Sequence, residues 1–274
     1  MIKVVDIDAL FDKYIEGYVY ANIGKIDPEQ IEDKIPFLYV EFGDKELEEL
    51  DGKTPNTYYK QFEGQALVEC LKNHIEQKVA VSDFLCEALT GNSENQTAIA
   101  NALYDDQNEV FVLYLMNMLA DMNSKLGFER YMEFIAWDYG DSIRELATEL
   151  LSKFAEDVKE EILVRYNESG EDKKAYYTEI LSHVKNDDRV FEILTMEFAK
   201  HVENMPLYAH YLAKYGDDRA IDLLKNAIES PDITYADFEE LRFAIEELGG
   251  YYDKKRDFSK DNSFKKIKGI KTTK

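Results

Sequence analysis

Three short segments constrain this chain more than anything else in it. EDVKEEIL at 156–163, DDRVFEIL at 187–194 and DDRAIDLL at 217–224 align at offsets of 31 and 30 residues. Each has an acid pair, a basic residue one or two positions on, another acid, and two aliphatics. A second pattern obeys the same offsets. Tyr177, Ile180 and Val184 correspond to Tyr208, Tyr211 and Tyr215, and then to Phe238, Leu241 and Ile245. Each trio has i, i+3, i+7 spacing, which is one buried stripe of an α-helix. Two stripes in one register define a unit of two helices in about 30 residues, a length typical of stacked helical repeats.

Local signals mark where these helices start and stop. Thr234 and Asp237 form a capping-box pattern, with Asp where Glu is usual. Gly216 sits where a left-handed C-terminal cap is needed, and Gly249 and Gly250 end the last helix in the same way. Asp187 and Asp217 are placed to cap orphan amide donors, with Asp188 and Asp218 at the positive end of the helix dipole. Arg189 and Arg219 then face the acids of neighbouring repeats as a ladder. The acid pairs therefore read as a folding device rather than a metal or proton-transfer site.

The stretch LAKYGDDRAIDLLKNAI, Leu212 to Ile228, resembles the short HEAT-like repeats of phycobilisome lyases, in which Leu-Gly-Asp-x-Arg-Ala opens the first helix of each pair. Residues 155–215 carry the resemblance less closely, and before residue 125 only helical character remains. The resemblance implies an all-α fold: a right-handed α-α superhelix of the HEAT-like, armadillo type with a concave binding face. It implies no single activity, because enzymes, scaffolds and lyases share such arrays.

The rest of the chain supports an all-α reading. Only 5 prolines and 13 glycines punctuate 274 residues. VVDIDALFDKYIEGYVY places Val5, Leu10, Tyr14, Ile15 and Tyr18 at helical steps. Asp27 with Pro28, and Thr54 with Pro55, mark helix starts. Helices are expected near 64–77, 82–90, 94–104, 108–122, 127–138 and 141–153. PFLYVEF at 36–42 is the one strand-like run, and without a partner it makes no sheet. Residues 43–53 read as a short polar helix or a loop. The expected organisation is an N-terminal helical region over 1–125, HEAT-like repeats over 126–252, and a basic, disordered tail over 253–274.

Charge bounds the partners. The net charge is −23, but residues 253–274 carry +6, which leaves −29 on the remaining 252 residues. An acidic body repels nucleic acid and anionic membranes, whose recognition depends on Lys and Arg, and favours a basic protein partner. No apolar run approaches the ~18 residues of a membrane span. MIKVVDIDALF lacks the basic and apolar regions of a signal peptide. A cytoplasmic location is the expectation, and Cys70 and Cys86 have no metal-binding spacing.

The chemistry-bearing residues are few. His74, His183, His201 and His210 form no HExxH motif, and none sits in the His-Glu pair of the HEAT-repeat hydroxylases. DGKTPNTYYKQFE starts like a calcium loop, but Asn56 occupies the turn position that needs Gly. No nucleotide fingerprint or nucleophile elbow appears. No metal, cofactor or catalytic residue is therefore assigned.

Two functions follow. The first is a non-catalytic scaffold that binds a basic or extended protein segment on an acidic concave face. On the second helix of each pair, the positions opposite the stripe are Ala175, Glu179 and Ser182; Pro206, His210 and Ala213; and Ala236, Glu240 and Phe243. Glu179, His210, Glu240 and Phe243 are the candidate contacts on that face. The alternative is an enzyme whose site lies where the N-terminal region meets the repeats, beside Trp137 and Asp138. Some HEAT-like DNA glycosylases combine tryptophans with an aspartate in this way, though on basic faces. Trp137 packing at a helix end beside Phe134 is the plainer expectation.

Overall fold

The computed structural model describes residues 2–23, 29–105, 108–137 and 139–269. Among these residues every regular element is helical. The only β-type pairing among the described residues is an isolated bridge between Leu47 and Lys53. No helix is long and apolar enough to cross a membrane. The chain forms two compact units, Met1–Leu146 and Ala147–Lys274.

The first unit contains α1 (Ile7–Ala21), α2 (Glu29–Glu32), α3 (Ile35–Gly43), α4 (Pro55–Tyr58), α5 (Gln65–Glu76), α6 (Asp83–Thr90), α7 (Gln96–Asp105), α8 (Glu109–Asp121) and α9 (Phe128–Ala136). The division between the units falls within α10 (Asp141–Ser152). The helices expected from periodicity appear within a few residues of their predicted bounds. Thr54 precedes a helix that begins at Pro55, as expected. The pattern at Asp27 and Pro28 lies outside the described residues.

PFLYVEF is not a strand but most of α3. Leu38 and Phe42, four residues apart, are each 1% exposed and face inward, while Phe37 and Val40 are 72% and 66% exposed. The apolar residues on the outer face hide the helical period from a sequence reading. Phe42 and Tyr39 pack against Phe11 of α1 at ring separations of 5.3 and 4.9 Å. Residues 43–53 hold a 3-10 turn at Glu48–Leu50 that buries Leu50. His74, fully buried in α5, sits within 2.8 Å of the Cys70 carbonyl and 3.3 Å of the Val5 carbonyl. It ties the N-terminal segment to the core of this unit.

The second unit continues with α11 (Ala155–Glu168), α12 (Glu171–Leu181), α13 (Asp188–Lys200), α14 (Met205–Tyr215), α15 (Ala220–Ile228), α16 (Tyr235–Glu247) and α17 (Asn262–Ile267). Packing is pairwise: α11 with α12, α13 with α14, and α15 with α16. Second helices also pack on each other, α14 against both α12 and α16. All nine stripe residues, from Tyr177 to Ile245, are buried. Gly216 ends α14 at φ +85°. Asn186, 30 residues earlier, takes the same left-handed conformation at φ +55°. Asn tolerates this region better than most residues, so both repeats turn by one device. Gly249 closes α16 at φ +80°, with the Gly250 amide donating to the Ile245 carbonyl at 2.8 Å.

Residues 253–269, whose composition reads as a basic tail, lie against the last helix pair. Phe258 is buried against Phe238 and Tyr235, at 5.0 and 5.3 Å between ring centres. Arg256 donates to the carbonyls of Ser230 and Pro231, and Lys254 pairs with Glu229. The Ala236 amide donates to Ser263 Oγ at 3.1 Å. The segment thus covers part of the last helix pair. Its few apolar residues include two aromatics, Phe258 and Phe264, that both pack on Tyr235.

Candidate functional site

Asp187, Asp188 and Asp217 of the repeated acid pairs are bound by side chains of their own chain. Asp187 caps α13 by accepting from the Arg189 amide at 3.1 Å. The Arg189 guanidinium grips Glu160 of the preceding pair with two hydrogen bonds, at 2.9 and 2.7 Å, and also Asp187. Lys159 adds a second cation to Asp187 at 3.1 Å. Arg189 and Lys159 hold the Asp187 carboxyl far below the usual carboxylate range, against a desolvation effect of opposite sign. One repeat on, the Arg219 amide donates to Asp217 at 3.0 Å and its guanidinium reaches Asp188 at 2.7 Å. Arg219 also lies over the Phe191 ring, 4.2 Å from its centre. The expected ladder is present.

The first copy departs from the device. Helix α11 already begins at Ala155 and has no side-chain cap. Glu156 instead accepts from the Lys185 amide at 2.7 Å, tying α11 to the turn before α13.

The four expected contact residues lie in different settings. Glu179 is half-buried and accepts from the Tyr211 hydroxyl of α14 at 3.3 Å. His210 is exposed beside Tyr211, with ring centres 6.4 Å apart. On α16, Glu240 is exposed, and Phe243 is 51% exposed beneath the Arg242 guanidinium at 5.6 Å. Tyr211 thus touches Glu179 and His210 separately. No hydrogen bond or ring contact among the described residues joins either to Glu240 or Phe243.

Two positions assigned to the open face are buried instead, Ser182 at 0% and Ala213 at 8% exposure. Second helices pack side by side, which closes those ends of the face. Ser182 satisfies its hydroxyl on the Glu179 carbonyl at 2.6 Å. The same helices carry a small basic patch, with Lys214 Nζ 3.4 Å from His183 Nε2. Burial, then Lys214, Lys185 and His210, push the His183 pKa down.

Of the alternative pair, only Trp137 falls within the described residues. Trp137 is 68% exposed at the end of α9. Tyr139, not Trp137, packs edge-on against Phe134 at 4.9 Å. The Arg130 guanidinium lies over both of those rings, at 4.7 and 4.9 Å, and pairs with Glu133 at 2.7 Å. Asp138 lies outside the described residues.

A cluster that the sequence reading missed sits at the end of α13. Glu197 is the only carboxylate among the described residues that is buried, at 1% exposure. One oxygen accepts from the Tyr166 hydroxyl of α11 at 2.5 Å. The other lies 3.1 Å from His201 Nε2. His201 Nδ1 lies 3.0 Å from a Glu203 oxygen, and the ring stacks on Tyr208 at 4.9 Å and 8°. The Glu203 carboxyl is held below its ordinary value by its own backbone amide and by His201. Burial and then Glu197 push the Tyr166 hydroxyl pKa up. Glu171 of α12 completes the group: donor atoms of Glu171, Glu197 and His201 lie within 4.8 Å of one another. Lys174, at 3.1 Å, and Lys200 pair with Glu171. The legible signal was Glu197 and His201 at i, i+4 on one helix face.

A shallow groove of about 440 Å³ runs between α11 and α13, floored by Leu163, Val164, Ile193 and Met196. The Glu160–Arg189 ion pair closes one side of it. Compared with family models, curated proteins and solved structures, the chain matches none.

Proposed function

We propose that the chain is a HEAT-like scaffold that holds a basic or extended protein segment on the face formed by its second helices. In this reading the pairs α11–α12, α13–α14 and α15–α16 stack as a right-handed superhelix, with α12, α14 and α16 lining its concave side. One observation carries it. The second helices bury their stripes and pack on one another, while His210, Glu240 and Phe243 are exposed and Glu179 is half-buried. Phe243 offers an apolar anchor next to an exposed carboxylate, the combination that suits a Lys- or Arg-bearing segment. The net charge of −23 steers such a partner toward the body.

The basic patch at His183, Lys185 and Lys214 limits where the segment docks. It favours a cationic partner near Glu240 and Phe243 and an acidic or neutral residue near His183. The test is capture from a native extract at two salt concentrations, with the wild type and with Glu179→Lys, Glu240→Lys. Capture that weakens with salt and is abolished in the double variant supports the reading. Salt-insensitive capture by the double variant removes it.

A further inference from the structure

We propose that Glu171, Glu197 and His201 bind a divalent first-row transition metal of the Zn²⁺ class, oriented by an outer shell of Glu203 and Tyr166. The inference is independent of the scaffold reading.

The argument begins with the histidine. Both ring nitrogens of His201 face carboxylate oxygens, Nε2 toward Glu197 at 3.1 Å and Nδ1 toward Glu203 at 3.0 Å. A neutral imidazole has one N–H, so one nitrogen then turns a lone pair toward an anion. With the proton on Nδ1, given to Glu203, the free lone pair is on Nε2. This is the arrangement found around metal-ligating histidines, which donate their other ring N–H to a carboxylate. Nε2 and the nearer Glu197 oxygen are then neighbouring ligands. With bonds of about 2.0–2.2 Å, two such donors stand about 3.4 Å apart in a tetrahedral site, a small adjustment from the observed 3.1 Å.

Glu197 fits the same role. A buried carboxylate is costly unless a cation or several hydrogen bonds compensate it. Its other oxygen is fixed by the Tyr166 hydroxyl at 2.5 Å, which leaves the oxygen beside His201 available. The flat stack of His201 on Tyr208 holds the imidazole plane. Glu171 supplies the third donor from a different helix. One imidazole and two carboxylates select a first-row metal over Mg²⁺ or Ca²⁺, which take oxygen ligands alone. Three protein donors leave a further position open to water or a small ligand.

Two ammonium groups compete for this place. Lys200 and Lys174 both pair with Glu171, and their side chains are 41% and 20% exposed. Lys200 is the one free to swing into solvent when a metal takes its carboxylate. Its presence makes a specific prediction that a random surface acid would not: removing Lys200 tightens metal binding.

The experiment is Zn²⁺ titration of the full chain by calorimetry, in excess Mg²⁺ to saturate surface carboxylates. Co²⁺ absorption serves as the coordination readout. The expected result is one Zn²⁺ per chain, lost in His201→Ala and tightened in Lys200→Ala. Glu203→Gln weakens binding by about 10–100-fold, the range for outer-shell changes, while the metal-free melting curve stays unchanged. All three substitutions leave buried Glu197 in place, and a metal-free melting curve of each variant checks folding separately from binding. No saturable Zn²⁺ uptake by the wild type overturns the proposal. Uptake that survives His201→Ala overturns it as well.

Discussion

Leu241→Ala tests the register on which the second unit is built. Leu241 is 0% exposed on α16, a helix packed against both α14 and α15. Truncation removes three carbons, which at about 0.8 kcal/mol per buried methylene is about 2.4 kcal/mol of transfer free energy. The residual cavity adds to this, because well-packed neighbours relax only in part, giving about 2–5 kcal/mol in all. Phe243→Ala, two residues away on the same helix, is the control. Its side chain is half exposed, and its loss should cost no more than about 0.5 kcal/mol. The sole tryptophan, Trp137, lies in the other unit and is 68% exposed, so its fluorescence reports nothing here. Native-state amide exchange along α14 and α16 is the suitable assay. A near-neutral Leu241→Ala beside a costly Phe243→Ala would mean that the helix presents the opposite face to its neighbours.

Two further outcomes probe the turns between repeats. The Asp187 carboxyl is depressed in the folded state, so it contributes stability above the unfolded value of about 3.9 and loses it as pH falls toward the folded value. Asp187→Asn should therefore destabilise more at about pH 7 than at about pH 3; an equal penalty at both refutes the ion-pair account. Gly216→Ala forces a side chain into φ +85° and should cost about 1–2 kcal/mol in chemical denaturation. By contrast Gly17→Ala, inside α1 with open space at its Cβ, should stabilise by about 0.5–1 kcal/mol.

The second unit was the more legible because its signals repeat. Tyr177, Tyr208 and Phe238 announce the same helix face three times, and Asp187, Arg189 and Arg219 hold the roles their spacing implies. Single-copy features misled. PFLYVEF shows apolar residues on both sides of a helix, so period alone could not name the element. Wheel geometry placed Ser182 and Ala213 on an open face because it has no knowledge of the neighbouring second helix. Trp137 was assigned to packing by residue type, whereas the chain turns it outward and seats Tyr139 instead. The Glu171, Glu197 and His201 cluster was hidden for a different reason. Glu171 is far from the other two in sequence, and nothing in the Glu197 neighbourhood shows that this one acid among 56 acidic residues is buried.

The most direct test of the scaffold account is a hydrogen-exchange footprint of the full chain with its captured partner bound. The account predicts slowed amide exchange in α12, α14 and α16 around Glu179, His210, Glu240 and Phe243, with α11 and α13 unchanged. Protection confined to the groove between α11 and α13, or no protection in the second helices, would contradict it.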